Sequence, residues 1–278
     1  MSRRELTTGA VLDTAVDLVS RRLPGMAGLL MLASLPLRFL EAWLANRLLQ
    51  LGDKASEHVS YLTGLSVWVT LSLLLAFWGR AVWARSCTLA LTGGEAERRI
   101  SWRERLRLSP AGLVSYLYAA TVAEVLFFAL GWTLVALPVL AVLGGLAAAT
   151  SALDHRPGLF ASLGHVLRHA RPFGVLAGLT LVFLMGVPVV FLNLSMLFQI
   201  LVWAAGGMTG TAGAWWEVAL SWENQQFVVL ACAGAILLLE PFWLAALVVA
   251  VRQARARQSG EDLAAWFAAL RPPVQEEA

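Results

Sequence analysis

Long apolar runs separated by short arginine-rich stretches set the pattern of this chain. Five runs stand out: Gly25–Asn46, Tyr61–Trp78 with an extension to Leu91 left open, Leu113–Thr150, Gly174–Ala204 and Phe227–Val251. About 20 helical residues cross the hydrocarbon core of a bilayer. Leu113–Thr150 is too long for one crossing, and Pro138 with Gly144 and Gly145 marks a break inside it. The pattern therefore predicts an all-α polytopic membrane protein. Its six transmembrane helices are placed near 25–46, 61–80, 113–134, 137–152, 174–204 and 227–251, the fourth being the shortest.

The polar residues between the runs orient these crossings. With the N-terminus inside, the inner segments hold Arg3, Arg4, Arg21 and Arg22, then Arg80, Arg85, Arg98, Arg99, Arg103, Arg105 and Arg107. Arg156, Arg168 and Arg171 follow, and last Arg252, Arg255, Arg257 and Arg271. The outer segments hold only Arg47 and Lys54, and the stretch from Gly206 to Gln226 has no Lys or Arg. Basic residues accumulate on cytoplasmic loops, so both termini are expected in the cytoplasm of a bacterial inner (plasma) membrane. The outer stretch carries Trp215, Trp216 and Trp222, whose indoles favour the headgroup layer, and a short helix lying in that interface is expected.

An amphipathic, Arg-bearing segment runs into a proline and then an apolar run three times: Val16–Leu30, Ser101–Ser115 and Leu163–Leu179, with Pro24, Pro110 and Pro172. Proline can end one helix and open the next. Each unit reads as a cytoplasmic interfacial helix feeding an out-and-back helical pair, before helices 1, 3 and 5. All three start on the same side, unlike an inverted-repeat transporter. Residues 1–258 form one membrane domain. Ser259, with Glu261 and Asp262, marks the start of a short amphipathic helix, and the acidic end of 259–278 is expected to be disordered.

Composition agrees. Of 278 residues, 59% are hydrophobic and 14% charged, with mean hydropathy +0.70. Soluble domains are near a quarter charged, so lipid is the solvent for most of this chain and no room remains for a soluble catalytic domain. The net charge of +3 comes from arginines flanking apolar runs, not from a solvated nucleic-acid-binding domain. Cys87 and Cys232 lie in apolar stretches and do not form a disulfide framework. Residues 1–24 mix charged and apolar positions, unlike a cleaved signal.

Three stretches carry a resemblance: TTGAVLDTAVDLVSRRLPGMAGLLMLASLP near the start, Leu89–Val114, and Glu240–Leu263. Together they resemble a group of bacterial six-helix inner-membrane proteins. That group is related to the membrane domain fused to some bacterial glycerophosphodiester phosphodiesterases. The chain departs from the group where Tyr-x-Asp-x-Arg is usual, having Val249-Ala250-Val251-Arg252 instead. The resemblance implies a fold and a location, and brings no catalytic residues. His155-Arg156 superficially echoes a phosphodiesterase motif but has no paired acids around it.

Ionisable side chains within the apolar runs are costly in lipid and are the candidates for function. Glu240 falls mid-run, directly before Pro241, and Glu124 is equally central in the third crossing. Arg38 and Glu41 sit one helical turn apart after Pro36. Arg38, Glu41, Glu124 and Glu240 together form either a functional polar site or an ion-pair network that fixes packing. Arg98, Arg99, Arg103, Arg105 and Arg107 make a basic inner-face segment suited to anionic lipid headgroups. His165 and His169 share a helix face, with only Asp154 or His155 nearby as a third metal ligand, and a solvated or headgroup-facing pair is the plainer reading. Asn193 and Gln199 are read as interhelical hydrogen-bond partners. No phosphate loop, zinc signature or nucleophile elbow is present. No cofactor, metal or nucleic-acid partner is expected; the expected partners are lipid and other membrane proteins. The leading expectation is a non-enzymatic component of a membrane assembly or an organiser of lipid. The alternative is a transporter, channel or lipid-moving protein using the Arg/Glu cluster, and an intramembrane enzyme ranks below both.

Overall fold

A computed structural model describes residues 7–51, 55–92, 101–108, 110–130, 136–151, 173–209 and 218–259. The described elements are all helical: α1 Thr8–Asp17, continued by a π-helical turn Leu18–Arg22; α2 Pro24–Leu51; α3 Ala55–Thr92; α4 Trp102–Leu106; α5 Pro110–Leu130; α6 Ala136–Ser151; α7 Phe173–Thr209; and α8 Gln225–Ser259. Among the described residues, four stretches are long and apolar enough to cross a membrane: Pro24–Leu44, Val67–Leu91, Gly174–Ala204 and Gln225–Ala256. This is the character of a multi-pass membrane protein. The stretches expected at 113–134 and 137–152 are the packed helices α5 and α6, neither of which is among those four. At 16 residues, α6 is shorter than the hydrocarbon core requires.

Consecutive long helices pair as hairpins, α2 with α3, α5 with α6, and α7 with α8. In the last hairpin Phe183 stacks on Trp243 at 4.9 Å and Phe198 on Phe227 at 6.0 Å. As residue numbers rise on α7 they fall on α8, so the pair is antiparallel. Two of the three prolines stand at helix starts: Pro24 opens α2 and Pro110 opens α5. At the first helical position a missing N–H costs nothing and φ is already helical. Pro172 immediately precedes α7 but lies outside the described residues, as does 163–171.

The core lies where α8 passes between the other helices. Residues Leu244–Val251 of α8 are all buried, a run that only a helix surrounded by others can show. Small residues let these helices approach. Gly79 on α3 faces Ala33 on α2, and a Cβ there would stand 2.6 Å from that of Ala33. Gly145 on α6 faces Leu247 and Trp243 on α8 without room for a methyl group. By contrast α7 exposes Leu181, Met185, Leu192, Met196 and Trp203, as a helix solvated by lipid does.

Several expectations are corrected. The second apolar helix passes its approximate end at 80 and takes the extension left open to Leu91, reaching Thr92, where Ala81, Val82, Trp83, Ala84 and Cys87 supply a second buried face beyond Arg80. Arg80 and Arg85 are therefore helical residues, not loop residues. Helix α1 buries Val11 and Ala15 and packs on α8 and α7, so that part of its apolar face meets protein. Ser259 is the last residue of α8, and the short helix expected from there falls in 260–278, outside the described residues. Asn193 donates to the Val189 carbonyl of its own helix at 2.7 Å, and Gln199 is exposed; Asn193 does not serve as an interhelical contact. Trp215, Trp216, His155, His165, His169 and the tail 260–278 lie outside the described residues.

Candidate functional site: a buried ion cluster at the junction of three helices

Ser34, Arg38 and Glu41 recur at helical spacing along α2 and share one face. That face meets α3 and α8, which also touch each other. The close approach at Gly79 brings the neighbouring Arg80 up to the α2–α8 seam. Glu240 enters from α8 and ties the three helices together.

The carboxylate of Glu240 is fully engaged. Its Oε1 accepts from Arg80 Nε at 2.6 Å and from the Ser34 hydroxyl at 3.3 Å. Its Oε2 accepts from Arg38 Nη2 at 3.3 Å. Arg38 in turn donates through Nη1 to Glu41 at 2.7 Å. Among the described side chains, two cations and two anions sum to zero charge, and such pairing is what makes burial of charged groups tolerable. Side-chain exposure rises outward from the centre: 5% for Glu240, 13% for Arg80, 18% for Arg38 and 38% for Glu41. The innermost acid is sealed, and only Glu41 reaches the bundle's margin. Arg38 Nε is buried and finds no acceptor among the described residues.

One turn beyond Arg80, the indole of Trp83 donates to the Pro241 carbonyl at 3.1 Å. Helix α3 thus grips α8 at consecutive residues, by side chain at Glu240 and by backbone at Pro241. Pro241 lacks an N–H and weakens the helix ladder locally, so this grip lies at the weakest turn of α8. Arg80 also lies over the Phe77 ring at 5.7 Å, a cation–π contact that strengthens when desolvated.

No protein-family model, curated protein or solved structure matches the chain.

Of the four residues singled out from sequence, Arg38, Glu41 and Glu240 come together. Glu124 is on α5, and its side chain lies outside the described residues. Sequence reasoning missed Arg80 and Ser34. The signal for Arg80 was present: the apolar pattern resumes after it, from Ala81 to Leu91. Ser34 carried none, since a lone serine in an apolar helix usually bonds its own backbone. As chemistry, the site is a clamp. A carboxylate held by two arginines and a hydroxyl is a weaker base and a poorer cation ligand than a free one.

Of the basic segment, Arg103 and Arg107 are exposed and Arg105 is half-buried, while Arg98 and Arg99 lie outside the described residues.

Proposed function

We propose that this chain is a non-enzymatic, six-crossing protein of the bacterial inner membrane with cytoplasmic termini, acting within a membrane protein assembly or organising the lipid around it. It resembles the bacterial six-helix proteins named above, and the arginine distribution supports its orientation. The observation that carries the functional reading is the neutral, mutually bonded set Arg38, Glu41, Arg80 and Glu240. Intramembrane charges that move ions or substrates need a free valence or a wet path. Here the central carboxylate is spent on holding three helices. Such a bundle is a rigid platform, and the basic inner-face residues give it a surface for lipid headgroups and neighbouring proteins.

The second reading, transport, draws on the half-exposed Glu41 and the unpaired Arg38 Nε. Reconstitution separates the two. Wild-type protein in vesicles loaded with a pH-sensitive dye is expected to give no proton or ion flux above empty vesicles. Flux that disappears in a folded Glu41→Gln variant would establish transport instead.

A further inference from the structure

Helix α4 is a short element held at three points. Ser101 and Glu104 form a reciprocal capping box, the Ser101 hydroxyl accepting from Glu104 N–H at 3.3 Å and the Glu104 carboxylate from Ser101 N–H at 3.2 Å. Arg85 of α3 donates through Nε to the Glu104 carbonyl at 3.2 Å. The Trp102 ring packs on Gly25, where an added Cβ would stand 3.3 Å from it. Gly25 begins one membrane-capable stretch and Arg85 lies near the end of another. The element therefore sits at the lipid–water boundary, with an exposed indole at the level indoles favour.

Among the described residues, the stretch Ser101–Leu108 and its contact on α3 carry Arg85, Arg103, Arg105 and Arg107 against the carboxylate of Glu104. Arg85 and Arg105 both belong to this junction, since Arg85 bonds the carbonyl of the residue preceding Arg105. The carboxylate nearest in sequence, Glu104, is committed to the cap, and Asp17 of α1 is committed to Arg22 at 2.8 Å. Arg105 Nη1 is buried and has no acceptor among the described residues. A buried guanidinium N–H without an acceptor is costly, so the site calls for an anion. Two planar guanidinium groups match phosphate oxygens in geometry. Exposed Arg103 and Arg107 add a positive field around the position.

We propose that Arg85 and Arg105, at the junction of α3 and α4, bind the phosphate of an anionic phospholipid headgroup, with Trp102 beside its glycerol region. This rests on the reading of the chain as a membrane protein and turns a diffuse basic surface into a defined lipid site. The boundary position favours lipid over free phosphate as the source.

The test uses the full chain in phosphatidylcholine nanodiscs doped with phosphatidylglycerol, with bound lipid counted by native mass spectrometry. Wild type is expected to retain phosphatidylglycerol over phosphatidylcholine. Arg105→Gln should weaken that retention about tenfold, the size of one charge-assisted hydrogen bond. Arg105→Lys, which keeps the charge and loses the fork, should fall between. Arg107→Gln should change it less than about twofold. Equal losses in Arg105→Gln and Arg107→Gln would overturn the site in favour of a general field. Inorganic phosphate displacing the lipid with the same Arg105 dependence would overturn the lipid source. If Arg105→Gln fails to fold, the wild-type preference decides, and its absence refutes the proposal. Protein that inserts normally yet shows no preference would refute this site while leaving the membrane reading intact.

Discussion

Replacing Glu240 by Gln is the sharpest perturbation of the three-helix junction. The amide is isosteric, so no cavity opens and the effect is electrostatic. Its oxygen can still accept from Arg80, now 2.6 Å from Oε1. Its NH2 would face Arg38 Nη2, now 3.3 Å from Oε2, turning an attraction into a donor–donor contact. One charge-assisted bond is lost and another loses its charge, each worth about 1.5–3 kcal/mol. The cluster is also left with a net positive charge in lipid. The combined cost is about 3 kcal/mol, or roughly 150-fold in the unfolding equilibrium. Arg80→Gln should cost a similar amount by leaving the opposite imbalance. The double variant restores neutrality, so its loss should fall about 3 kcal/mol short of the sum. Unfolding in mixed micelles at rising dodecyl sulfate fraction, followed by tryptophan fluorescence, measures all three. A Glu240→Gln loss under about 0.5 kcal/mol, or strict additivity in the double variant, would refute the clamp.

Other consequences follow from the same packing. Trp83→Phe keeps the ring and removes the donor to the Pro241 carbonyl, and should cost about 1 kcal/mol in the same unfolding assay. Gly145→Val drives a side chain into Leu247 and Trp243, and should destabilise by about 1–3 kcal/mol. Leu181, Met185 and Met196 on α7 are exposed; nitroxide labels placed there should relax faster with dissolved oxygen than with a water-soluble nickel chelate. Ser101→Ala removes one half of the capping box and should cost about 1 kcal/mol locally, read as faster hydrogen exchange across Trp102–Leu106.

The helical class and the membrane-capable runs were legible because lipid solvation demands long apolar runs with internally satisfied backbones. Glu240 was legible for the same reason: a charge in such a run is rarely accidental. What pairs with it was not. Arg38 and Glu41 announced themselves by spacing, but Arg80 looked like the flank of a loop, since arginine usually marks the end of a crossing. Only the burial of Ala81, Val82, Trp83 and Cys87 beyond it shows that the helix continues. The role of α1 was similarly hidden. Its amphipathic pattern fits a membrane surface and a protein groove equally, and tertiary packing of Val11 and Ala15 against α8 and α7 decides between them. Asn193 shows the converse: a polar residue in an apolar helix can satisfy itself one turn back without a partner helix.

The central claim is that the Glu240 cluster is a sealed structural clamp rather than part of an aqueous path. Ser34 is fully buried and bonds Glu240 directly, which makes Ser34→Cys a conservative reporter at its heart. In a background with Cys87 and Cys232 replaced by Ala, its labelling by a small water-soluble thiosulfonate in intact vesicles is the direct measurement. The clamp predicts labelling no faster than for the cysteine-free protein until the bundle is unfolded. Rapid labelling of the folded protein from either side would contradict it and place water at the carboxylate.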